Sequence, residues 1–383
     1  MKNRLIILAA VSALLYLPSL FGGFMWDDED IITGDYVIQN VSNAGAVLGP
    51  GYWKRSFPGA ESRYRPARSL LLMAEWKALG RNPAGYHGVN LALNIGAVCM
   101  AFWLSFLLLK DRDKAFVSAL VFALHPVHVE SVAWIKNMTD LLLFIFCGAS
   151  AAAFLKWAGE GGKKLLAAAF LFFGLALFSK ESAVVLPLLL AGWLAAQGRP
   201  WKEALRKTAP MLALSGLFLF FVVFFLRRGP QLPAFDLKAV LLAAMQYLRL
   251  VFLPFGLNAD RSLVTAVDAA GPLLFAALVL YYFRERRREG FFALFWIVVC
   301  LLPFLDLRFT TGRPIAEQRL YMAVLGAGFM AGGFYTPSLA RKAALGAVCA
   351  VFAGLSILRV FDWVEPVRLW EKTVKASPLS WRA

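Results

Sequence analysis

The sequence predicts an all-α membrane protein that crosses the bilayer many times. Of its 383 residues, 60% are hydrophobic and the mean hydropathy is +0.64, a balance that excludes a soluble domain. Apolar runs long enough for a helix to cross the hydrocarbon core recur along the whole chain. Lys and Arg fill the short loops between them, so the net charge of +16 reflects membrane orientation and not nucleic-acid binding.

The apolar runs predict about eleven spans. The first run follows Lys2 and Arg4 and resembles a signal peptide. No small-x-small cleavage motif precedes Trp26, so we predict a retained first helix with a cytoplasmic N-terminus. The polar stretch after it, residues 25–87, is predicted to form short interfacial helices and turns in a first outer loop. The predicted spans are residues 5–24, 89–109, 115–133, 138–157, 165–178, 183–196, 208–226, 271–283, 291–305, 320–335 and 343–360.

A further apolar run, residues 237–254, decides the orientation of the later spans. It contains Gln246, Arg249 and Pro254, which a lipid-facing helix tolerates badly. We therefore predict that it is re-entrant or interfacial and does not cross. With the N-terminus inside, this assignment also places the basic loops inside, as the positive-inside rule requires. They are residues 110–114, 156–164, 199–207, 284–288 and 341–342.

Most of the remaining polar residues collect on the predicted outer face. Ionised carboxylates are unstable in lipid, so they face water or a polar cavity. Convergence of both charge signs on one face predicts a site; a solvated loop start, or ion pairs that tie loops together, are the alternatives. The clusters are Asp27-Asp28-Glu29-Asp30, Tyr64-Arg65-Pro66, residues 125–130, Asp140, Ser179-Lys180-Glu181, Asp260-Arg261 and Glu317-Gln318-Arg319.

These residue types suit the transfer of a group from a phosphate. Asp27 and Asp28 suit the work of a general base, because a positioned carboxylate can take the proton of an attacking hydroxyl. Arg65 and Arg319 suit phosphate, since a guanidinium fork binds two oxygens. Lys180 can neutralise a phosphate as a point charge or pair with a neighbouring carboxylate.

The pattern His125-x-x-His128-x-Glu130 has the residue types of a metal site. Pro126 disturbs a helical spacing, so helix-end capping and hydrogen bonding to a polar substrate are the preferred interpretations. We predict no required cofactor and leave a divalent metal open. The cysteines lie inside apolar runs and are interpreted as small buried residues, not as disulfides or metal ligands. They are Cys99, Cys147, Cys300 and Cys349.

Seven short motifs follow one another along nearly the whole chain. They are Phe24-Met25-Trp26-Asp27-Asp28, Tyr64-Arg65-Pro66, Tyr86-His87-Gly88-Val89-Asn90, residues 125–130, Thr139-Asp140-Leu141-Leu142, Ser179-Lys180-Glu181 and Glu317-Gln318-Arg319-Leu320-Tyr321. No single motif is specific, but their order and spacing resemble the transmembrane and tetratricopeptide-repeat protein O-mannosyltransferases and their bacterial relatives.

The resemblance implies a type-C glycosyltransferase fold and a polyprenyl-phosphate-linked sugar donor, used on the outer or lumenal face. The compact chain favours the periplasmic face of a bacterial inner membrane. An acidic residue of the first outer loop is the implied catalytic residue, and that role falls on Asp27 or Asp28. We favour Asp27 as the base, with Asp28 orienting the acceptor or donor. The implied binding residues for the donor phosphate and sugar are Tyr64, Arg65, His125, His128, Glu130, Asp140, Lys180, Glu181, Arg319 and Tyr321.

The chain departs from the family pattern at two places. The family's Gly-Arg before the Asp140 motif appears here as Lys136-Asn137-Met138, so we expect Lys136 to take over that arginine's contact. The predicted membrane domain ends at residue 360, and residues 361–383 resemble the beginning of a first helical repeat on the outer face. The family's repeat array would follow there, so we expect a truncated chain, or repeats that are missing or supplied by another protein.

The leading hypothesis is an inverting transfer of a sugar, with mannose suggested, to a protein hydroxyl. One alternative keeps the donor and changes the acceptor to a lipid or a cell-surface glycan. Another is a transporter or flippase, which predicts similar halves and midplane charges; here no repeat is visible and the charges lie at span ends. A non-catalytic scaffold is the third alternative.

Overall fold

The chain is mostly helical in the part that the structure, a computed structural model, describes. These residues are 1–55, 64–226, 235–261, 266–305, 313–378 and 380. Within them the only strand-like pairing is an isolated bridge between Arg261 and Ile315. The predicted all-α membrane architecture is confirmed. Two parts of the predicted segments lie outside the described residues: 56–63 of the first outer loop, and 379 with 381–383 of the C-terminal segment.

The helices follow the predicted apolar runs. The α-helices are α1 Lys2–Tyr16, α2 Ala44–Leu48, α3 Pro50–Arg55, α4 Pro66–Leu79, α5 Pro83–Leu109, α6 Arg112–Leu124, α7 Val129–Ala133, α8 Met138–Glu160, α9 Lys163–Ser179, α10 Leu186–Ala196, α11 Trp201–Phe221, α12 Leu237–Phe252, α13 Ala270–Glu285, α14 Arg288–Leu305, α15 Val324–Phe334, α16 Leu339–Val364 and α17 Pro366–Ala376. Short 3-10 or π turns are Leu17–Phe21, Glu29–Thr33, Val41–Asn43, Pro126–His128, Ile135–Asn137, Glu181–Val185, Val222–Leu226, Ala266–Ala269 and Glu317–Leu320.

Seven helices among the described residues are long and apolar enough to cross a membrane. They are Lys2–Phe21, Pro83–Leu109, Ile135–Glu160, Trp201–Phe224, Val267–Glu285, Arg288–Leu305 and Leu339–Val364. A bent pair, α6 with Pro126–Ala133, makes an eighth candidate. The remaining predicted runs form shorter helices: α9, Glu181–Ala196 and α15. All the predicted spans are therefore helical, although three are shorter than a full crossing.

The bend after α6 carries two of the predicted site residues into the protein. His125 has an extended backbone (φ −68°, ψ 123°) because the ring of Pro126 disfavours a helical conformation in the residue before it. The chain restarts as a turn and then as α7, at an angle of 53° to α6. His128 and Glu130 are consequently buried within the bundle.

The basic loops meet at one end of the bundle. Arg4 pairs with Asp113, and Arg199 donates to the carbonyl of Ala158 at 3.1 Å. Arg287 donates to the carbonyl of Gly333 at 3.4 Å. This is the arrangement that the sequence predicts when residues 237–254 do not cross the membrane. The polar side chains of that run face protein: Arg249 in α12 is buried and bonds Asp268 at 2.7 Å.

Helices α15 and α6 pack closely enough that glycine is required between them. A Cβ atom added to Gly332 would lie 2.5 Å from the backbone oxygen of Lys114, whereas one added to Gly333 would meet nothing within 4 Å. We expect Gly332→Ala to lower the melting temperature, with a loss of about 1–3 kcal/mol in unfolding free energy, because backbone atoms cannot move aside easily. Gly333→Ala is the matched control. Equal melting temperatures in detergent for both variants would contradict this packing.

Candidate active site

The Asp27–Asp28 turn is the centre of the predicted site, and its two carboxylates have different surroundings. Asp28 is fully buried. Its Oδ2 accepts from the backbone N–H of Met25 at 3.1 Å, and its Oδ1 accepts from that of Lys136 at 2.9 Å. The Asp27 side chain is 40% exposed and forms an ion pair with the ammonium of Lys136. Asp28 therefore fixes the turn, while Asp27 is accessible to a substrate.

Burial gives Asp28 an unusual titration. It raises the pKa of the carboxyl from 3.8 to about 7, although the backbone N–H groups of Met25 and Lys136 act in the opposite direction. Between these two values the folded chain holds a proton that the unfolded chain has lost. Stability from this group is therefore complete below pH 3.8 and is lost as the pH rises to about 7.

We expect the melting temperature of the wild type to fall more steeply between pH 5 and pH 7 than that of Asp28→Asn. One such group changes the unfolding free energy by at most about 1.4 kcal/mol per pH unit. The amide of the Asn variant does not titrate, so it adds no such change. The variant starts from a lower melting temperature, because its amide nitrogen cannot accept one of the two N–H bonds. Parallel curves in detergent would show that Asp28 is ionised throughout.

Lys136 lies in the 3-10 turn just before α8 and connects that turn to the Asp27–Asp28 turn. Its ammonium lies 4.1 Å from the centroid of the Trp134 ring, and its side chain is 13% exposed. Lys180 and Arg313 are near enough to repel it electrostatically. Lys136 forms an ion pair with Asp27; that it takes over the contact of the family's arginine stays a prediction.

A second ion pair, which is buried, lies next to it. Lys180 bonds Asp140 at 2.5 Å, and both side chains are almost completely buried. Lys180 follows α9 and Asp140 is in the first turn of α8, so the pair ties two helix ends together. Arg65 also acts electrostatically on Asp140. The guanidinium fork of Arg65 donates two hydrogen bonds to the Glu181 carboxylate, of 2.7 and 3.1 Å.

Arg313 belongs to the same site, although sequence reasoning did not identify it. It bonds Glu130 at 2.5 Å, and Glu130 also accepts from the backbone N–H of Glu317 at 3.0 Å. The Arg313 guanidinium lies 5.1 Å from the centroid of the Trp26 ring. Its Nε and Nη2 have no hydrogen-bond partner among the described residues. The sequence signal for Arg313 is its position four residues before Glu317, the first residue of the Glu317-Gln318-Arg319 motif.

Arg319 binds the backbone at Arg313. It donates to the carbonyl of Arg313 at 2.7 Å, to the carbonyl of Pro314 at 2.6 Å and to the hydroxyl of Tyr247 at 2.9 Å. Its guanidinium also lies over the ring of Phe304. The ammonium of Lys180 lies 5.6 Å from the centroid of the same ring. Arg319 therefore holds the backbone that presents Arg313, and its predicted contact with a donor phosphate stays a prediction.

The predicted aromatic and histidine residues pack instead in the interior. His128 lies between the rings of Phe122 and Tyr321, with centroid distances of 4.4 and 4.2 Å. A ring nitrogen of His125 is 3.0 Å from the carbonyl of Val251. The hydroxyl of Tyr321 donates to Asn94 at 2.7 Å and that of Tyr64 to the carbonyl of Leu48 at 2.8 Å. Among the described residues, no group of three or more His, Cys, Asp or Glu is arranged to hold a metal ion.

Four tryptophans form a cluster of ring contacts that begins at Trp26, the residue before Asp27. Trp26 stacks on Trp134 with a centroid distance of 4.5 Å and an interplanar angle of 8°. Trp134 stacks in turn on Trp363 of α16 at 5.4 Å, and Trp370 of α17 meets Trp26 edge-on at 4.9 Å. The C-terminal helices thus take part in the site, and α16 continues through Val364, past the predicted domain boundary at residue 360.

The site lies at the opposite end of the bundle from the basic loops. Asp140 is in the first turn of α8, whereas Ala158, which accepts from Arg199, is in its last turn. Eighteen residues at 1.5 Å each separate the two by about 27 Å. One helix therefore carries the acidic site at one end and the basic loops at the other.

Known proteins resemble this chain in parts. No protein-family model matches it. The protein O-mannosyl-transferase F38B6.6 of Caenorhabditis elegans is 30% identical over 149 residues, which are 38% of this chain and 22% of that protein. The protein O-mannosyl-transferase TMTC1 of Homo sapiens is 33% identical over 144 residues, 36% of this chain and 16% of that protein. The chain thus spans about a fifth of the length of these curated relatives.

A solved structure shows a weaker likeness over a longer range. The crystal structure of ArnT from Cupriavidus metallidurans bound to undecaprenyl phosphate aligns with 98% of this chain and 78% of that chain, with a TM-score of 0.49 and 12% identity. The sequence relatives are the more specific finding. The resemblance drawn from the motifs is confirmed by them: the chain is similar in sequence to protein O-mannosyl-transferases over 36–38% of its length.

Proposed function

We propose that this chain is a type-C membrane glycosyltransferase that moves a sugar from a polyprenyl phosphate to a protein hydroxyl. The observation that carries the proposal is the accessible Asp27 carboxylate, which Lys136 holds beside buried cations. The relatives, named protein O-mannosyl-transferases, support mannose as the sugar and a protein as the acceptor.

Asp27 acts as the base in this proposal. The acceptor hydroxyl approaches the anomeric carbon from the face opposite the phosphate, and its proton passes to Asp27. A new bond forms between the acceptor oxygen and the anomeric carbon, while the bond from that carbon to the phosphate oxygen breaks. The configuration inverts and polyprenyl phosphate leaves. Lys136 orients the Asp27 carboxylate, and Asp28 holds the turn that presents it.

The cations stabilise the negative charge that develops on the leaving phosphate. Arg313 has two guanidinium nitrogens, Nε and Nη2, without a partner among the described residues, so it can donate to the phosphate. Lys180 and Arg313 both act electrostatically on Lys136, and Arg65 adds a positive charge near Lys180 while its fork is paired with Glu181. Cations that are already fixed in a buried site move little during the reaction, so they stabilise the charge on the leaving phosphate effectively. The proposed step uses no cofactor; transfer that stops on chelation and returns with a divalent cation would show otherwise.

The proposed location is the outer leaflet side of the membrane, the periplasmic side in a bacterium. The basic loops gather at the end of the bundle opposite the site, and loops rich in Lys and Arg stay in the cytoplasm. The polyprenyl chain would then lie along the lipid-facing helices while its phosphate reaches the cations.

The test is a transfer assay with the full chain in liposomes. We expect radiolabelled mannose from polyprenyl-phosphate mannose to enter a polypeptide acceptor, with release of polyprenyl phosphate. Mass spectrometry of the product separates a protein acceptor from a lipid or glycan acceptor. A donor that crosses the bilayer unconsumed, or no consumption of any polyprenyl-phosphate sugar by folded protein, would overturn the proposal.

A further inference from the structure

We propose that Trp370 in α17 is a positioning residue that fixes Trp26 and, through it, the carboxylate of Asp27. The catalytic consequence rests on the proposed function, whereas the contact itself does not. The helix that carries Trp370 lies in the predicted C-terminal segment, more than 340 residues from the turn that it would control.

The backbone at Trp26 needs an external constraint. Its φ is +57°, a left-handed conformation that bulky residues rarely adopt. Among the described residues, the other non-glycine positions with positive φ are Lys110 and Arg286. Both are the C-caps of helices, where the left-handed conformation is common. Trp26 caps no helix C-terminus and directly precedes Asp27, so its conformation is held by the surroundings of its side chain.

Three groups surround the Trp26 indole. Trp134 stacks flat on it at 4.5 Å and also donates its indole N–H to the carbonyl of Met25 at 3.2 Å. Arg313 lies over the ring at 5.1 Å. Trp370 meets the ring in an edge-on contact, at a centroid distance of 4.9 Å and an interplanar angle of 71°. Edge-on and stacked contacts are the preferred aromatic geometries, so the indole is held in one orientation.

Helix α17 is attached to the protein by other contacts as well. Leu369 is fully buried. Asp362, at the end of α16, accepts from Arg368 at 2.8 Å and from Lys372 at 2.6 Å. Ser377 accepts from Asn258 at 2.8 Å. Loss of the Trp370 ring therefore leaves the helix in place, which separates the positioning of Trp26 from the docking of α17.

The test compares Trp370→Ala, Trp370→Phe and Val374→Ala in the full chain. Val374 is exposed in the same helix and serves as the matched control. The first readout is hydrogen exchange at the amides of Met25 and Asp28, which bond across the turn at 3.1 and 3.0 Å. We expect at least tenfold faster exchange in Trp370→Ala, near wild-type exchange in Trp370→Phe because a ring edge remains, and no change in Val374→Ala.

The second readout is the kinetics of sugar transfer. We expect Trp370→Ala to lower kcat at least tenfold with the donor KM within twofold of wild type, and Trp370→Phe to recover most of the rate. Hydrogen exchange that is unchanged in Trp370→Ala overturns the proposal. Faster exchange with an unchanged kcat also overturns it, and so does a loss of activity that comes from the donor KM alone. If the wild type transfers no sugar, the proposed function fails, and the exchange measurement by itself still decides whether Trp370 holds the turn.

Discussion

Asp27→Asn is expected to lower kcat for sugar transfer by about 10²–10⁴-fold, the usual contribution of a general base. The amide keeps an oxygen for the Lys136 ammonium but cannot take a proton from the acceptor. In the proposed function the donor binds through cations, so its KM should change little. Asp27 is 40% exposed, and the variant should fold with a melting temperature close to wild type. The measurement is a steady-state transfer assay with polyprenyl-phosphate mannose.

Two further variants make this result specific. Glu29 is exposed and lies two residues from Asp27, so Glu29→Gln should retain near wild-type kcat. Asp28→Asn should lower the rate by disturbing the turn, together with a lower melting temperature. Full activity in both Asp27→Asn and Asp28→Asn would exclude a carboxylate base in this turn.

Lys180→Met is expected to destabilise the protein by about 3–5 kcal/mol, the typical effect of removing one partner of a buried ion pair. Asp140 would lose its cation in a position that is only 3% exposed. The same change removes a cation next to the proposed phosphate site, so transfer should also fall. Thermal unfolding in detergent measures the first effect, and the donor KM measures the second.

A double variant separates the two effects. Lys180→Met with Asp140→Leu should regain most of the lost stability, because apolar residues of similar volume replace a buried ion pair with little penalty. It should not regain transfer. The exposed pair of Lys156 and Glu160 is the matched control, since Lys156→Met should leave the melting temperature unchanged. A double variant that is as unstable as Lys180→Met would contradict the pairing.

The helices were predictable because a membrane span is a local property of the sequence. A run of apolar residues must satisfy its backbone internally, so it forms a helix wherever it lies in the bilayer. The bend after His125 was also visible, since Pro126 acts on its own neighbours. The assignment of residues 237–254 followed from Gln246 and Arg249, whose side chains the structure places inside the protein.

The partners within the site were harder to predict because they depend on the tertiary fold. Asp27 and Asp28 stood out by composition, and Lys136 was identified only as a replacement for an arginine. Nothing local indicated that Arg313 meets Glu130, which is 183 residues away. His128 shows the converse: its spacing from Glu130 suggested a shared role, but the bent helix turns its ring against Phe122 and Tyr321.

The wide separation of Glu130 from its partners has a consequence for biogenesis. Its carboxylate accepts hydrogen bonds from Arg313 and from the backbone N–H of Glu317. The ribosome adds these two residues 183 and 187 positions after Glu130. Until then this acid lacks the counter-charge that the folded structure gives it, so we expect it to stay in a hydrated crevice or at the mouth of the insertion channel. Release from the translocation machinery should therefore wait for the last third of the chain, and nascent chains halted before Arg313 should be preferred targets of membrane quality-control proteases.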